Sequence, residues 1–269
     1  MLGGARRHNE TNESDRMTIS ERPAIELRRL SFRYPNGRLA LDEITCTIPP
    51  AERMAIVGPS GAGKSTLLMH LNGLLPTPSI STDDQAQVFV QGNAVVRSRL
   101  HDVRRRVGFL FQDPDDQLFC PTVRDDVAFG PLNLGLDRAE ILQRVERGLA
   151  AVGMADCSAR NPSELSTGER KRVCLAGILA CHPSILVLDE PTSNLDPRAR
   201  RQLLEILRVF DGTLIVATHD LDFVTDLCSR VLVLEGGKVQ ADGPTERILS
   251  DSLIMDRHGL EVPWRLRAK

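Results

Sequence analysis

Nine consecutive residues constrain the fold of this chain more than any other stretch: Gly58-Pro59-Ser60-Gly61-Ala62-Gly63-Lys64-Ser65-Thr66. They fit G-x-x-x-x-G-K-[ST], a phosphate-binding loop. An apolar run, Met54-Ala55-Ile56-Val57, precedes them and reads as a buried strand. Leu67, Leu68, Leu71, Leu74 and Leu75 follow at helical spacing. The glycines therefore sit at a strand-to-helix turn, the context the motif requires. Glycine lets the backbone approach a phosphate closely, and successive N–H groups form an anion nest. The helix N-terminus adds partial positive charge. Lys64 can neutralise β- and γ-phosphates, and the Ser65 hydroxyl can bind Mg²⁺. A chain of this length would show the pattern by accident about 1% of the time.

A parallel α/β sheet is thus expected, and 269 residues suit one large α/β domain or one with a small appendage. Lys+Arg 34 against Asp+Glu 36 gives a net charge of −2. That balance lacks the basic excess of a nucleic-acid binder, so no nucleic acid is expected as a partner. The longest apolar run, Val173–Cys181, spans nine residues and is broken by Gly177. A membrane span needs about 20. No signal-peptide core is seen near the N-terminus. The six cysteines form no C-x-x-C pair and read as reduced thiols, each a small buried apolar residue.

Residues 1–22 are polar and aperiodic and are expected to form a disordered tail, with Met17 an alternative start. Ile25–Tyr34 and Ile44–Ile48 read as an antiparallel pair around the Pro35-Asn36-Gly37 turn. Tyr34, the only tyrosine, could stack on an adenine or simply pack on the sheet. Val88–Gly92 and Val107–Phe111 read as strands, the second ending at Gln112. From Asp113 to about Cys181 the pattern becomes helical. Asp137 and Glu140 suggest a capping box, followed by the stripe Ile141, Leu142, Val145, Leu149, Val152, with Gly153 as terminator. Ile185–Leu188 and Thr213–Ala217 are continuous apolar strands, as both-sided burial demands. Asp196-Pro197 opens a helix. Val231–Leu234 and Lys238–Ala241 form a hairpin about Gly236-Gly237. Residues 246–269, with the only tryptophan, Trp264, read as an extension without evident chemistry.

Asp189 and Glu190 end the Ile185–Leu188 strand. Ligands of α/β sheets bind at the carboxyl ends of strands, so both acids arrive where the phosphate loop points. Asp189 can hold Mg²⁺ through oxygen or water. Glu190 can polarise a water for attack on the γ-phosphate. Solvated acids at a strand-end turn are the common alternative.

Leu165-Ser166-Thr167-Gly168-Glu169 resembles the signature of ABC ATPases. Asp189 to Asp196 resembles the Walker B and D-loop of the same family. Gln112 is similar to the Q-loop glutamine, Tyr34 to the A-loop aromatic and His219 to the switch histidine, all in family order over about residues 24–245. The resemblance implies a phosphate-loop NTPase with a RecA-like core, an antiparallel β-subdomain and a helical subdomain over about 113–181, within a domain over 23–245. It implies ATP and Mg²⁺ as cofactors, with Ser65, Gln112 and Asp189 at the ion. It implies catalytic roles for Lys64, Glu190 and His219, and ATP held between two cassettes so that Ser166 and Gly168 of one meet the γ-phosphate on the other. A single chain has one of each motif and needs a second ATPase subunit, either another copy or a close paralogue. Thr167 and Glu169 depart from the usual Gly and Gln, so ordinary hydrolysis at an altered rate is expected.

The segments Phe111–Phe119, Thr122-Val123 and Asp126–Pro131 resemble the ATPases of energy-coupling-factor transporters, especially the cobalt/nickel type. This implies a peripheral subunit on the cytoplasmic face of the cell membrane, met by a transmembrane coupling subunit and accompanied by a substrate-binding membrane subunit. Leu118 and Phe119 offer apolar contact there, or else belong to the helical core. Two other functions compete: a soluble ABC ATPase acting on nucleic acid or ribosomes, and a nucleotide-binding regulator that does not hydrolyse. The first would carry a long coiled coil or a second cassette, and neither is present. The intact Glu190 and His219 oppose the second.

Overall fold

A computed structural model describes residues 22–75 and 85–267. Apart from Arg22, the expected disordered tail falls on residues outside these, as does the alternative start at Met17.

The strands are β1 (Ile25–Arg33), β2 (Leu39–Ile48), β3 (Arg53–Val57), β4 (Val88–Val90), β5 (Asn93–Ala94), β6 (Val107–Leu110), β7 (Ile185–Asp189), β8 (Thr213–Ala217), β9 (Arg230–Glu235) and β10 (Lys238–Pro244). The helices are α1 (Lys64–Leu71), α2 (Leu100–Arg106), α3 (Val123–Asn133), α4 (Arg138–Ala151), α5 (Thr167–Ala180), α6 (Pro197–Arg208), α7 (Leu221–Leu227), α8 (Thr245–Ser250) and α9 (Ser252–Arg257). A six-stranded sheet runs β10-β9-β3-β8-β7-β6, and a four-stranded antiparallel sheet runs β2-β1-β4-β5. Within the larger sheet every pairing is parallel except β10 with β9.

Period-2 alternation divides each central strand between two cores. Ala55 and Val57 of β3, Leu186 and Leu188 of β7, and Leu214 and Val216 of β8 face the core shared with α3 to α7. Met54 and Ile56, Ile185 and Val187, and Ile215 and Ala217 face the core shared with α1 and the antiparallel sheet. A strand buried on both faces has no polar positions to show, which is why these segments read as unbroken apolar runs. Each buried valine, leucine, isoleucine or methionine among them contributes about 1.5–3 kcal/mol. The expected pairing of β1 holds, with Ile25 opposite Ile48, Leu27 opposite Cys46 and Leu30 opposite Ile44. β2 begins earlier than expected, at Leu39, because a register shift and the positive φ of Glu43 (53°) break the alternation there.

Two local expectations are corrected. Asp137 does cap α4 by accepting from the Glu140 N–H at 2.9 Å, but Glu140 turns away to Arg144 at 2.6 Å, so the box is one-sided. All six cysteines are free, but only Cys46, Cys174 and Cys228 are buried; Cys120, Cys157 and Cys181 are half-buried. Cys157 lies in a short turn after α4, and Cys181 caps the C-terminus of α5, so neither is in the sheet. Among the described residues no helix is long and apolar enough to cross a membrane.

Candidate nucleotide-binding site

The phosphate loop joins β3 to α1 at the carboxyl edge of the parallel strands. Two glycines have no substitute there. Gly58 has φ 150°, and a Cβ on it would lie 1.9 Å from the Leu234 carbonyl oxygen. Gly63 caps α1 in the left-handed region at φ 108°, with the Ala40 carbonyl 2.6 Å from its absent Cβ. Both contacts are with backbone, which cannot swing aside. Lys64 Nζ donates to the Gly58 and Pro59 carbonyls at 2.8 and 3.1 Å, which lays the ammonium along the loop.

An open cleft of about 430 Å³ brings together Tyr34, Arg38, Ser60 to Thr66, Gln112, Glu190 and His219. Tyr34 is fixed at both ends. Its hydroxyl shares a hydrogen bond with Thr66 Oγ1 at 2.9 Å, and its ring meets Phe32 edge-on at 5.0 Å. Phe32 in turn rests on buried His70, whose Nδ1 lies 2.7 Å from the Thr66 carbonyl. One ring face is therefore held beside the loop, as an aromatic base platform requires. Sequence reasoning missed Arg38, whose guanidinium donates to the Gly61 carbonyl at 3.0 Å. An arginine directly after a Pro-Asn-Gly turn gives no signal of its own.

Glu190 follows β7 in the left-handed region, φ 43°, a conformation costing about 1–3 kcal/mol for a non-glycine residue. Its N–H donates to Ala217 of β8 at 2.8 Å. Its Oε2 accepts from Thr218 Oγ1 at 3.0 Å and from the His219 N–H at 3.3 Å, and lies 2.9 Å from His219 Nδ1. One carboxylate oxygen is thus anchored while its partner is left for the cleft. Such a group can take a proton from a water beside the phosphates. His219 itself is 72% exposed, so its imidazole reaches the mouth of the cleft.

Asp189 is only 4% exposed, and its Oδ1 is buried without a hydrogen-bond partner. Burial pushes its carboxyl above the usual range and the Glu190 charge adds to this, while a Ser65 hydroxyl bond and the Lys64 and Lys171 charges oppose it. An unsatisfied buried carboxylate oxygen beside a hydroxyl is a costly arrangement. It fits a hard divalent cation that takes oxygen ligands.

Ser166 and Gly168 lie elsewhere. They line a second cleft with Thr167, Glu169, Asn194, Asp196 and Arg198, separate from the phosphate loop. Ser166 is the N-cap of α5 within a reciprocal capping box: Glu169 Oε2 accepts from the Ser166 N–H at 2.8 Å and from its hydroxyl at 2.7 Å. Ser-x-x-Glu ahead of an apolar run is the sequence signal for this box. The Ser166 bonds hold the Glu169 carboxyl below its usual range. Asp196 caps α6, accepting from the Arg198 and Ala199 N–H groups, both at 2.8 Å.

The model of the ABC transporter family matches residues 41–193, more than half of the chain. The chain belongs to the ABC transporter family. This ABC ATPase is 45% identical over 243 residues to the "Energy-coupling factor transporter ATP-binding protein EcfA" of Carboxydothermus hydrogenoformans, covering 89% of this chain and 87% of that one. It is 44% identical over 246 residues to the "Cobalt import ATP-binding protein CbiO" of Rhodobacter capsulatus, covering 90% and 86%. The solved cbiO1 of Clostridium perfringens, described as part of the ABC transporter complex cbiONQ, superposes with a TM-score of 0.75 at 32% identity, covering 92% of this chain and 98% of that one. The family and the fold expected from the motifs are thereby borne out, and with them ATP hydrolysis as the activity.

In this ABC ATPase the reciprocal cap sets the expected effect of changing Glu169. Glu169→Gln keeps an acceptor for Ser166 and removes a negative charge from the cleft. If a second cassette closes on this cleft with ATP, their association is expected to tighten by about fivefold, the size of one screened like-charge contact. Glu169→Ala is expected instead to lose about 1 kcal/mol of stability with the cap. Association measured by light scattering across an ATP titration, beside a thermal melt, separates the two; identical behaviour of the Gln variant and the parent would show that the charge has no role.

Proposed function

We propose that this chain is the ATP-hydrolysing subunit of an energy-coupling-factor type importer, working as a pair of cassettes on the cytoplasmic face of a membrane. The transported solute is a transition-metal cation such as cobalt or nickel, or a vitamin. The single observation that carries the reading is the cleft in which Tyr34, the phosphate loop, Gln112, Glu190 and His219 converge, while Ser166 and Gly168 open onto a different surface.

In this reading Tyr34 stacks on the adenine. The N–H groups from Ser60 to Thr66 and the Lys64 ammonium bind the β- and γ-phosphates. Ser65, Asp189 and Gln112 would hold Mg²⁺, which supplies charge neutralisation at the phosphates when bound. Glu190 accepts a proton from the attacking water, and His219 orients that water and the γ-phosphate. Ser166 and the N–H groups opening α5 close the site from the second subunit, which is another copy or a close paralogue. Asp196 sits between the two sites.

The groove lined by Phe109, Phe111, Leu118, Phe119, Phe129 and Cys181, about 420 Å³ in volume, receives the transmembrane coupling subunit. Leu118 packs against the core, whereas Phe119 is 65% and Phe129 46% exposed, their rings edge-on at 4.8 Å. Exposed paired aromatics suit a protein interface. The net charge of −2 gives no support to a nucleic-acid partner. The test is to co-express the chain with candidate membrane subunits and measure ATP turnover and solute uptake in vesicles. Coupled turnover supports the reading. Recovery with nucleic acid or ribosomes, without any membrane protein, overturns it.

A further inference from the structure

Lys171 is among the largest fully buried side chains of the described residues, 1% exposed. Among the described residues no carboxylate forms an ion pair with it. Its Nζ instead donates into a ring of oxygens from the segment after β7: the Glu190 carbonyl at 3.1 Å, the Pro191 carbonyl at 3.3 Å, the Ser193 carbonyl at 2.9 Å and the Ser193 hydroxyl at 2.8 Å. The Ser193 hydroxyl closes the ring by donating to the Glu190 carbonyl at 2.9 Å. Three carbonyls pointing at one centre repel one another unless a cation sits among them. The first of them belongs to Glu190, whose backbone is already in the left-handed region. Lys171 is also placed on the helix that Ser166 caps. The preceding residue, Arg170, pairs with Asp115 just beyond Gln112. A lysine on the stripe Lys171, Cys174, Leu175, Ile178, all otherwise apolar and buried, is where the sequence shows the anomaly.

We propose that Lys171 is a positioning residue for ATP hydrolysis: it fastens the backbone presenting Glu190 to the helix headed by Ser166, so that the two move as one body. The proposal rests on Glu190 acting as the proton acceptor. A helix that answers to one nucleotide at Ser166 then sets the aim of the carboxylate that serves the other.

The test uses the full chain carrying Lys171→Met, Lys171→Gln, Ser193→Ala or Glu190→Gln, each measured for kcat, KM, MgATP affinity and thermal stability. Lys171→Met is expected to lower kcat about 10- to 100-fold, the scale of a misplacement of roughly 1 Å at a reacting group, with MgATP affinity unchanged. Lys171→Gln restores part of the rate, because its amide supplies two of the lost donors. Ser193→Ala gives a smaller loss, and combining it with Lys171→Met adds nothing further. A merely structural lysine would lower the melting temperature and leave kcat per folded molecule at the parental value, and that result overturns the proposal. So does a well-folded Lys171→Met protein with parental kcat, or a loss confined to KM. If Lys171→Met does not fold, Lys171→Gln and Ser193→Ala carry the same comparison. Parental turnover in Glu190→Gln would overturn the assignment of the proton acceptor itself; an inactive Glu190→Gln beside an active Lys171→Met overturns only the role of Lys171.

Discussion

Glu190→Gln is expected to lower steady-state ATP hydrolysis by about a hundredfold or more, the usual contribution of a placed general base, while MgATP binding survives. The substitution is nearly isosteric. The glutamine oxygen can still accept from Thr218 Oγ1 and the His219 N–H, which hold Oε2 at 3.0 and 3.3 Å. The left-handed backbone at position 190 and its N–H bond to Ala217 are untouched. What disappears is the capacity to take a proton. Phosphate release and nucleotide affinity measured on the same preparation check the split. Turnover within about threefold of the parent, an effect too small for a lost general base, would contradict the assignment.

The second large effect concerns the loop itself. Gly58→Ala is expected to cost about 3 kcal/mol or more, the scale of a forced clash in a packed interior. The new methyl would sit 1.9 Å from the Leu234 oxygen and 3.0 Å from its carbon. Both atoms belong to β9, which pairs with β3 on one side and β10 on the other. No rotamer relieves the clash, so the loop or the sheet edge must shift. The melting temperature should fall by about 6 °C or more for a chain of this size, and MgATP affinity should fall with it. Gly135→Ala is the control: its φ is also positive, at 73°, but nothing lies within 4 Å of the added carbon. A melt of Gly58→Ala no lower than that of the control would show that the close approach at β9 is not structurally required.

The sheet and its carboxyl edge, where the candidate site lies, were legible because their physics is local. β3, β7 and β8 are buried on both faces, so each is a continuous apolar run, and the acids that end β7 stand out against it. Gly58 and Gly63 announce backbone that other residues cannot adopt. Less legible were features that depend on distant partners. α7 spans only seven residues, too few to show a helical period, and its place is set by packing of Phe223 and Val224 into the core. Tyr34 could not be told from a sheet-packing tyrosine until Phe32, His70 and Thr66 were seen to hold it. Lys171 carried a weak signal, a charge on an apolar stripe, but its partners lie about twenty residues away in sequence. The separation of Ser166 from the phosphate loop followed from family resemblance alone, since spacing along a chain does not reveal which surface a helix end will face.

That separation gives the most direct test of the whole account. The Glu190→Gln chain is to be weighed by light scattering in MgATP and in ADP, alone and with its membrane subunits. Two cassettes per particle in MgATP, reverting in ADP, is the expected result. A single cassette under every one of these conditions would contradict a composite site closed by Ser166 of a second subunit.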